Sequence, residues 1–307
     1  MRPPRIAIGT CRELPEPDVD EELLNAALRS RGAEPVLVPW DGDERVDWST
    51  FDLCVIRSTW NYLEDPVRFR TWLDEIHGTC PLWNPIELLA ENLDKRYLRT
   101  LEAQGIAIVP TFWVSGRVRD GATTEENWES ELETRGWHDY VIKPTISAGS
   151  FGTRRFREAP MFRENTGGGL APRDEARNYL SAGLRERDWM VQMYCPTVET
   201  SGECAIVVID DEISHVVRKN PRFTGDDESV SDARPPSDAE HAFATRVLEE
   251  VPGSLLYGRV DVIEDPQESG RLLLAELELL EPSLFLKQHP PALERFADAI
   301  VERARSS

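Results

Sequence analysis

The fold is decided by two segments near the end of the chain, YGRVDVI (residues 257–263) and LAELELL (residues 274–280), with EDPQESG (264–270) between them. Both segments have the composition of strands, and the connection that contains Asp, Pro and Gly predicts a β-hairpin. Side chains alternate across a strand, so Arg259 and Asp261 share one face of the first strand. Glu276 and Glu278 share one face of the second. Three carboxylates and one guanidinium can thus converge on one side of the hairpin.

These acidic residues predict a metal site. A glutamate that is embedded unpaired in a leucine-rich strand is costly to desolvate, so a cation must compensate it. Mg²⁺ prefers oxygen ligands, usually one or two carboxylates together with substrate phosphates. We therefore predict that Asp261, Glu276 and Glu278 hold Mg²⁺ that bridges a triphosphate. The alternative is an amphipathic outer strand whose polar face meets water, as antiparallel sheets commonly show.

A second candidate site is the segment YVIKPTISAGSFGT at residues 140–153. Its lysine ends a strand of the buried type, and a loop rich in serine and glycine follows. Backbone N–H groups of such a loop can cradle phosphates while the lysine supplies a positive charge. The chain has no Walker sequence G-x-x-x-x-G-K-[ST], and no G-x-G-x-x-G follows the first strand, so a plain hairpin turn is the alternative. The predicted phosphate-binding residues are Lys143, Ser147, Gly149, Ser150 and Gly152.

A third candidate site is a pair of strand-like runs, WMVQMYC and GECAIVV, with VRK further along the chain. The first run can act as a linker strand whose free backbone groups bind an adenine edge. Glu203 can accept hydrogen bonds from ribose hydroxyls, and Arg218 and Lys219 can face phosphate. Taken singly, each is also an ordinary strand or turn residue. The predicted adenine-binding residues are Gln192, Met193 and Tyr194.

The segment RSTWNY at residues 57–62 predicts a substrate site. It follows a strand of the buried type, at the carboxyl edge of a parallel sheet, where ligands usually bind. An acceptor carboxylate can dock there on a cation and hydroxyl groups. The alternative is a buried arginine that caps the sheet, with Trp60 and Tyr62 as core aromatic residues. The predicted substrate-binding residues are Arg57, Ser58, Thr59 and Trp60.

The order of elements predicts a mixed α/β (α+β) fold. Strands and helices alternate at the start of the chain, which indicates a small parallel sheet. One helix is predicted from Pro85 through Leu101, and later strand-like runs joined by tight turns indicate a mainly antiparallel sheet. Polar stretches at 115–136 and 157–175, the latter with TGGG at 166–169, predict loops or flaps. The expected domains are residues 1–90, 91–190 and 191–307.

Composition narrows the classes of function. The chain has 35 basic and 56 acidic residues and a formal charge of −21, which repels phosphate backbones and anionic lipids. We therefore expect neither a nucleic-acid nor a membrane partner. The five cysteines lie far apart without metal-ligand or redox spacing, which favours reduced thiols. No segment approaches the roughly 18 apolar residues of a membrane span, so a cytoplasmic location is expected.

Together, these motifs resemble the ATP-grasp superfamily of carboxylate–amine ligases over residues 90 to 290. The resemblance implies an N-terminal domain with a parallel sheet, a central lid subdomain and a C-terminal subdomain with an antiparallel sheet. It implies that Lys95 and Lys143 bind nucleotide phosphates. It also implies the roles given above for the serine- and glycine-rich loop, the adenine strand, Glu203 and the acidic hairpin. Glu278 stands where an asparagine is commoner in that family, and Gln192 stands where a glutamate is frequent.

A closer resemblance is to the branch that contains D-cycloserine synthetase, an O-ureido-D-serine cyclo-ligase. RSTWNY carries it, together with Gly202-Glu203, Ser214-His215, Arg218-Lys219 and ELELLEPSL at 276–284. Within the last segment, Ser283 is expected to contact the substrate. Asn61 stands where that branch is expected to have an aspartate, which leaves the identity of the substrate open.

The resemblance implies that a substrate carboxylate attacks the γ-phosphate of ATP and that a nitrogen nucleophile then displaces the acyl phosphate. ATP, two Mg²⁺ ions, a small amino-acid-like substrate and a homodimer are expected. Three alternatives are an intermolecular ligase that joins amino acids or peptides, a small-molecule kinase, and a nucleotide-binding protein without ligase activity. Lys95, Lys143, Arg259 and Mg²⁺ are expected to neutralise charge during the reaction. The expected catalytic residues are Arg259, Lys219 and Arg218.

Overall fold

The computed structural model describes residues 2–115, 123–158, 172–184, 187–219 and 230–306. Its first part is a parallel sheet with the strand order β2-β1-β3-β4, which confirms the predicted parallel sheet. A helix follows β1 and another follows β3, as parallel strands require. The elements are β1 (Arg5–Thr10), α1 (Glu21–Ser30), β2 (Glu34–Pro39), β3 (Leu53–Ile56), α2 (Pro66–His77) and β4 (Leu82–Trp83).

The single helix predicted from Pro85 through Leu101 is wrong, because two helices occupy this stretch. They are α3 (Ile86–Asn92) and α4 (Tyr97–Ala103). The Asp94 carboxylate accepts a hydrogen bond at 3.0 Å from the backbone N–H of Arg96, a local bond that competes with the helical pattern. In the break, the N–H of Lys95 donates to the Thr145 carbonyl at 2.8 Å. The interruption thus places Lys95 beside the loop that follows Lys143.

A second sheet is antiparallel, with the strand order β5-β8-β6-β7. Two helices cover it with Trp128, Leu132 and Leu180. Parts of both helices fall in stretches predicted as loops, because a few buried side chains at helical spacing outweigh a polar composition. The loop segments 116–122 and 159–171, with TGGG, lie outside the described residues. The elements are β5 (Thr111–Val114), α5 (Trp128–Arg135), β6 (Asp139–Pro144), β7 (Arg154–Arg157), α6 (Pro172–Gly183) and β8 (Trp189–Met193).

The third sheet is also antiparallel, with the order β10-β9-β11-β12, so the predicted antiparallel strands divide between two sheets. The predicted hairpin is confirmed as β11 and β12. Helix α8 was not predicted, although Ser237 and Glu240 form a capping box that the sequence displays. The elements are α7 (Thr197–Thr200), β9 (Glu203–Ile209), β10 (Glu212–Lys219), α8 (Asp238–Glu249), β11 (Tyr257–Glu264), β12 (Leu272–Glu278) and α9 (Pro290–Ser306).

Helix α9, the last helix of the chain, packs against elements from its first part. It packs against α1 and contributes Phe296 and Ile300 to a core that contains Ile6 of β1 and Val207 of β9. Burial of each such side chain stabilises the fold by about 1.5–3 kcal/mol. The first and third sheets therefore share one hydrophobic core, which fixes the carboxyl ends of β1 and β3 near β11 and β12. Among the described helices, none combines the length and apolar character needed to cross a bilayer.

Candidate active site

A cavity of about 360 Å³ lies between the ends of the first sheet, the loop after β6 and the hairpin of β11 and β12. Its position beyond the carboxyl ends of parallel strands is where ligands of α/β proteins bind. The predicted residues that line it are Trp60, Lys95, Lys143, Ser147, Gly149, Ser150, Glu203, Lys219, Arg259, Glu276, Glu278 and Ser283. The predicted residues that do not line it are Arg57, Ser58, Thr59, Gly152, Gln192, Met193, Tyr194, Arg218 and Asp261.

Glu276 lies between the two lysines that the sequence placed on either side of the nucleotide. Lys143 Nζ is 2.7 Å from one carboxylate oxygen, and Lys95 Nζ is 3.4 Å from the other. Burial raises the pKa of Glu276, but the charges of Lys143 and Lys95 outweigh burial and hold it well below its ordinary value. Glu276 is therefore anionic, and two cations are concentrated beside it at the cavity wall.

Arg259 organises the other acidic residues of the hairpin. Its Nε and Nη2 each donate to a separate oxygen of Asp261 at 2.8 Å, and Nη2 also lies 2.5 Å from Glu278. The strand register explains this geometry, because Arg259 pairs with Glu278 and Asp261 pairs with Glu276 across the hairpin. Asp261 also accepts from Lys219 at 2.6 Å. Burial raises the pKa of Asp261, but Arg259 and Lys219 lower it to about 2.

Side chains from α3 and α4 hold the outer edge of β12. This strand is the last of its sheet, so its outward backbone groups need partners from elsewhere. Asn92 Nδ2 donates to the Leu277 carbonyl at 2.8 Å, and the Leu277 N–H donates to Tyr97 Oη at 2.9 Å. The Leu279 N–H donates to Asn92 Oδ1 at 2.7 Å. Sequence reasoning missed Asn92 and Tyr97 as residues of the site, because many other polar side chains lie on the same stretch.

The loop after β6 has a left-handed backbone conformation at three of its residues. Gly149, Ser150 and Gly152 have φ values of 55°, 63° and 65°, in the left-handed region that favours glycine. A Cβ atom on Gly152 would lie 2.9 Å from the Pro144 side chain, so no larger residue fits there. The Ser147 carbonyl accepts from Lys95 Nζ at 2.8 Å. The loop base is thus fixed by the same lysine that contacts Glu276.

Glu203 and Lys219 face each other across β9 and β10 and form an ion pair. Burial raises the pKa of Glu203 to about 7 against the opposing charge of Lys219, and the charge of Asp261 adds to the increase. Arg218 is exposed, because alternation along β10 turns it to the opposite face from Lys219. Arg218 therefore does not line the cavity, and its contact with phosphate stays a prediction.

The predicted adenine strand has occupied N–H groups. Gln192 is buried and donates to the Thr111 hydroxyl at 3.0 Å. The N–H of Met193 donates to the Pro110 carbonyl at 2.9 Å, and the N–H of Tyr194 donates to the Asp139 carbonyl at 3.0 Å. The expectation of free backbone donors at Met193 and Tyr194 is thus corrected, since neighbouring segments of the second sheet use them.

Arg57 occupies the position of a sheet cap. It is buried, its Nη2 donates to the Pro282 carbonyl at 3.0 Å, and its guanidinium lies over the Tyr257 ring at 5.4 Å. Arg57 does not line the cavity and commits Nη2 to Pro282, so the docking of a substrate carboxylate on Arg57 stays a prediction. Ser58 donates to Asp18, and Thr59 is fully buried. Of the four predicted residues in this segment, only Trp60 reaches the cavity.

The chain is similar to known proteins in sequence and in structure. Residues 6–84 match the family model of the D-cycloserine synthetase DcsG N-terminal domain. The cycloserine biosynthesis protein DcsG of Streptomyces lavendulae is 28% identical over 303 residues, covering 94% of this chain and 95% of that protein. The crystal structure of D-cycloserine synthetase DcsG superposes with a TM-score of 0.82 and 26% identity, over 98% of this chain and 99% of that one. This chain is an ATP-dependent ligase with the ATP-grasp fold.

More distant ATP-grasp ligases share the fold. A RimK domain ATP-grasp protein from Sphaerobacter thermophilus superposes with a TM-score of 0.66 at 18% identity, over 97% of this chain and 99% of that one. D-alanine–D-alanine ligase from Bacillus anthracis superposes with a TM-score of 0.65 at 15% identity, over 99% and 98%. As the fold implies, the ligase uses ATP and Mg²⁺.

The donor set of the ATP-grasp ligase fits Mg²⁺ in part. Glu276 and Glu278 line the cavity with carboxylate oxygens, the ligands that Mg²⁺ prefers in combination with phosphates. Asp261 is fully buried and held by Arg259 and Lys219. Within the described ranges, no three His, Cys, Asp or Glu side chains form a ready metal cluster. The protein thus offers two carboxylates, and the remaining ligands must come from the nucleotide or water.

Proposed function

We propose that the ligase forms C–N bonds by way of an acyl phosphate on an amino-acid-like substrate. The observation that carries the proposal is the convergence of Lys95, Lys143, Lys219 and Arg259 around Glu276 and Glu278 in one cavity. Phosphoryl transfer needs mainly positioning and electrostatic stabilisation of charge, which four cations and two metal-binding carboxylates supply. No covalent nucleophile of the protein is required.

In this proposal, Glu276 and Glu278 hold Mg²⁺ against the nucleotide phosphates. When it is bound, the ion would neutralise negative charge on the phosphates. With Glu276 bound to the metal, Lys143 and Lys95 would bind phosphate oxygens of the nucleotide in place of Glu276. Asp261 keeps Arg259 and Lys219 pointed at the cavity and acts as a positioning residue.

The reaction then has two steps. A carboxylate oxygen of the substrate attacks the γ-phosphorus, and the bond from that phosphorus to ADP breaks. A nitrogen nucleophile next attacks the acyl carbon, and the bond to the phosphate oxygen breaks, which releases phosphate. Arg259 and Lys219 stabilise the oxyanion of the tetrahedral intermediate. The loop of Ser147 to Gly152 shields the acyl phosphate from water.

We propose that the substrate is O-ureido-D-serine and that the ligase cyclises it. This assignment is supported by the match of residues 6–84 to the N-terminal domain of D-cycloserine synthetase and by the similarity of the whole chain to DcsG. In a cyclisation, the attacking nitrogen belongs to the same molecule as the activated carboxylate. The cavity volume of about 360 Å³ lies within the ordinary range of small-molecule sites.

The proposal is tested by ADP release with Mg·ATP against O-ureido-D-serine, single amino acids and pairs of amino acids, with mass spectrometry of the products. A cyclised product from O-ureido-D-serine alone is the expected result. Turnover only with two substrates would replace cyclisation by intermolecular ligation. Hydroxylamine should trap a hydroxamate, and a stable phosphorylated product in its place would indicate a kinase.

The metal assignment has its own test. Glu276→Gln should lower ADP release by at least about 100-fold, because a metal-binding charge is lost. Glu268→Gln is the matched control, since Glu268 is an exposed carboxylate of the turn between β11 and β12. Unchanged ADP release by Glu276→Gln at limiting Mg²⁺ would refute the assignment.

A further inference from the structure

The Glu281 carboxylate differs from Glu203, Glu276 and Glu278 of the same cavity in having no ion-pair partner among the described residues. Glu203 is paired with Lys219, Glu276 with Lys143 and Lys95, and Glu278 with Arg259. Glu281 also lines the cavity, but no lysine, arginine or histidine of the described chain forms an ion pair with it. Within the described residues, no ion pair is thus available to compensate a negative charge on Glu281.

The cations whose charges act on Glu281, Lys95 and Arg259, are engaged elsewhere. Lys95 donates to the Ser147 carbonyl and contacts Glu276, while Arg259 is held by Asp261 and Glu278. Burial and the neighbouring charge of Glu278 raise the pKa of Glu281 to about 8, against the weaker effects of Lys95 and Arg259. A carboxylate in this setting gains from a cation that arrives with a ligand.

The segment that carries Glu281 is held at three successive carbonyls. Trp60 Nε1 donates to the carbonyl of Glu281 at 2.9 Å, and Arg57 Nη2 donates to that of Pro282 at 3.0 Å. Arg259 Nη1 donates to the carbonyl of Ser283 at 3.1 Å. Such a fixed backbone costs little further ordering when a ligand binds. Arg57 and Trp60, which the sequence indicated as substrate contacts, thus position Glu281.

We infer that Glu281 binds the positively charged nitrogen of the substrate and selects amino-acid-like molecules with a free amino group. This inference rests on the proposed function and adds a specificity-determining residue to it. The ammonium contacts Glu281 at the wall formed with Trp60, while the carboxylate of the same molecule faces Arg259 and the lysines. Molecules whose amino group is acylated lack the charge and should bind poorly.

The test measures binding separately from turnover. Thermal unfolding of the wild type and of Glu281→Gln is followed with Mg²⁺ and a non-hydrolysable ATP analogue, as O-ureido-D-serine, D-serine, D-alanine, L-serine or L-alanine is added. The N-acetyl form of each probe is the matched ligand control, and Glu268→Gln is the matched protein control. Loss of one charge-assisted contact should weaken binding roughly 10- to 100-fold.

The expected result is that at least one free amino acid raises the unfolding temperature of the wild type and of Glu268→Gln, that its N-acetyl form does not, and that Glu281→Gln loses this discrimination. Equal binding of the free amino acid by wild type and Glu281→Gln would overturn the inference. It would also be overturned if none of the probes bound the wild type. Failure of cyclisation with retained, Glu281-dependent binding would instead count against the proposed substrate assignment alone.

Discussion

The Tyr97→Phe substitution tests whether the hydrogen bonds on the outer edge of β12 determine the position of the metal-binding glutamates. It removes only the hydroxyl oxygen that accepts from the Leu277 N–H at 2.9 Å. Leu277 lies between Glu276 and Glu278, so a shift of this backbone moves both carboxylates. The aromatic ring stays, so no large cavity forms.

The expected magnitude follows from the lost partner. A buried backbone N–H left without an acceptor costs about 1–3 kcal/mol of unfolding free energy. Asn92→Leu removes partners from both the Leu277 carbonyl and the Leu279 N–H, so it should cost about twice as much, roughly 2–6 kcal/mol. The two variants therefore form a graded series on one strand.

The assay is thermal or denaturant unfolding, with the Mg²⁺ concentration for half-maximal ADP release as a second readout. Tyr97→Phe should unfold at a lower temperature and require more Mg²⁺, and Asn92→Leu should show larger changes in the same direction. Tyr194→Phe is the control, because its hydroxyl bonds to Glu199 away from the cavity. Wild-type stability and Mg²⁺ dependence in Tyr97→Phe would refute the reasoning.

Two further predictions concern charged residues. Lys219→Met should lower kcat/KM by roughly 10²- to 10³-fold, because a preorganised charge on the cavity is lost. Arg218→Met, on the opposite face of β10, should change kcat/KM less than about twofold, and equal effects of the two would contradict the assigned faces. Burial raises the pKa of Glu240, but Arg234 and the cap at Ser237 lower it from 4.5 to about 2. Its stabilisation is therefore complete above pH 4.5 and is lost as the pH falls toward 2. Glu240→Gln should cost about 1–3 kcal/mol at pH 7 and flatten the acid limb of stability in a denaturant titration, and an unchanged acid limb would contradict this.

The hairpin and the charged side chains on it could be predicted from the local sequence alone. Residues 257–263 and 274–280 alternate in a period of two, and the structure confirms their pairing as β11 and β12. The same alternation shows why Lys219 reaches the cavity and Arg218 does not, although the two were predicted together. The alternation of side chains along β10 was visible in the sequence. Which of its two faces lies toward the cavity depends on how the sheet packs.

Backbone partners were beyond sequence reasoning. Pro110 and Asp139 accept the N–H groups of Met193 and Tyr194, and these segments are distant in sequence. The break at Lys95 likewise depends on Thr145, which comes from a different strand end. Long-range hydrogen bonds of this kind leave no periodic signal, because each needs only one carbonyl at the right place.

The sequence by itself determined the class of fold and which charged residues are present. The spacing of hydrophobic residues, the glycine-rich loops and the carboxylates within apolar strands can all be recognised from residues that are close together in the chain. Only the tertiary structure decided which charges neutralise one another. Asp261 is held between Arg259 and Lys219, and Arg57 is held against Pro282. Glu281 lines the cavity and has no ion-pair partner in the part of the chain that the structure describes. These assignments depend on distances between residues that are far apart in the chain, and electrostatic energy depends on distance and burial rather than on sequence order.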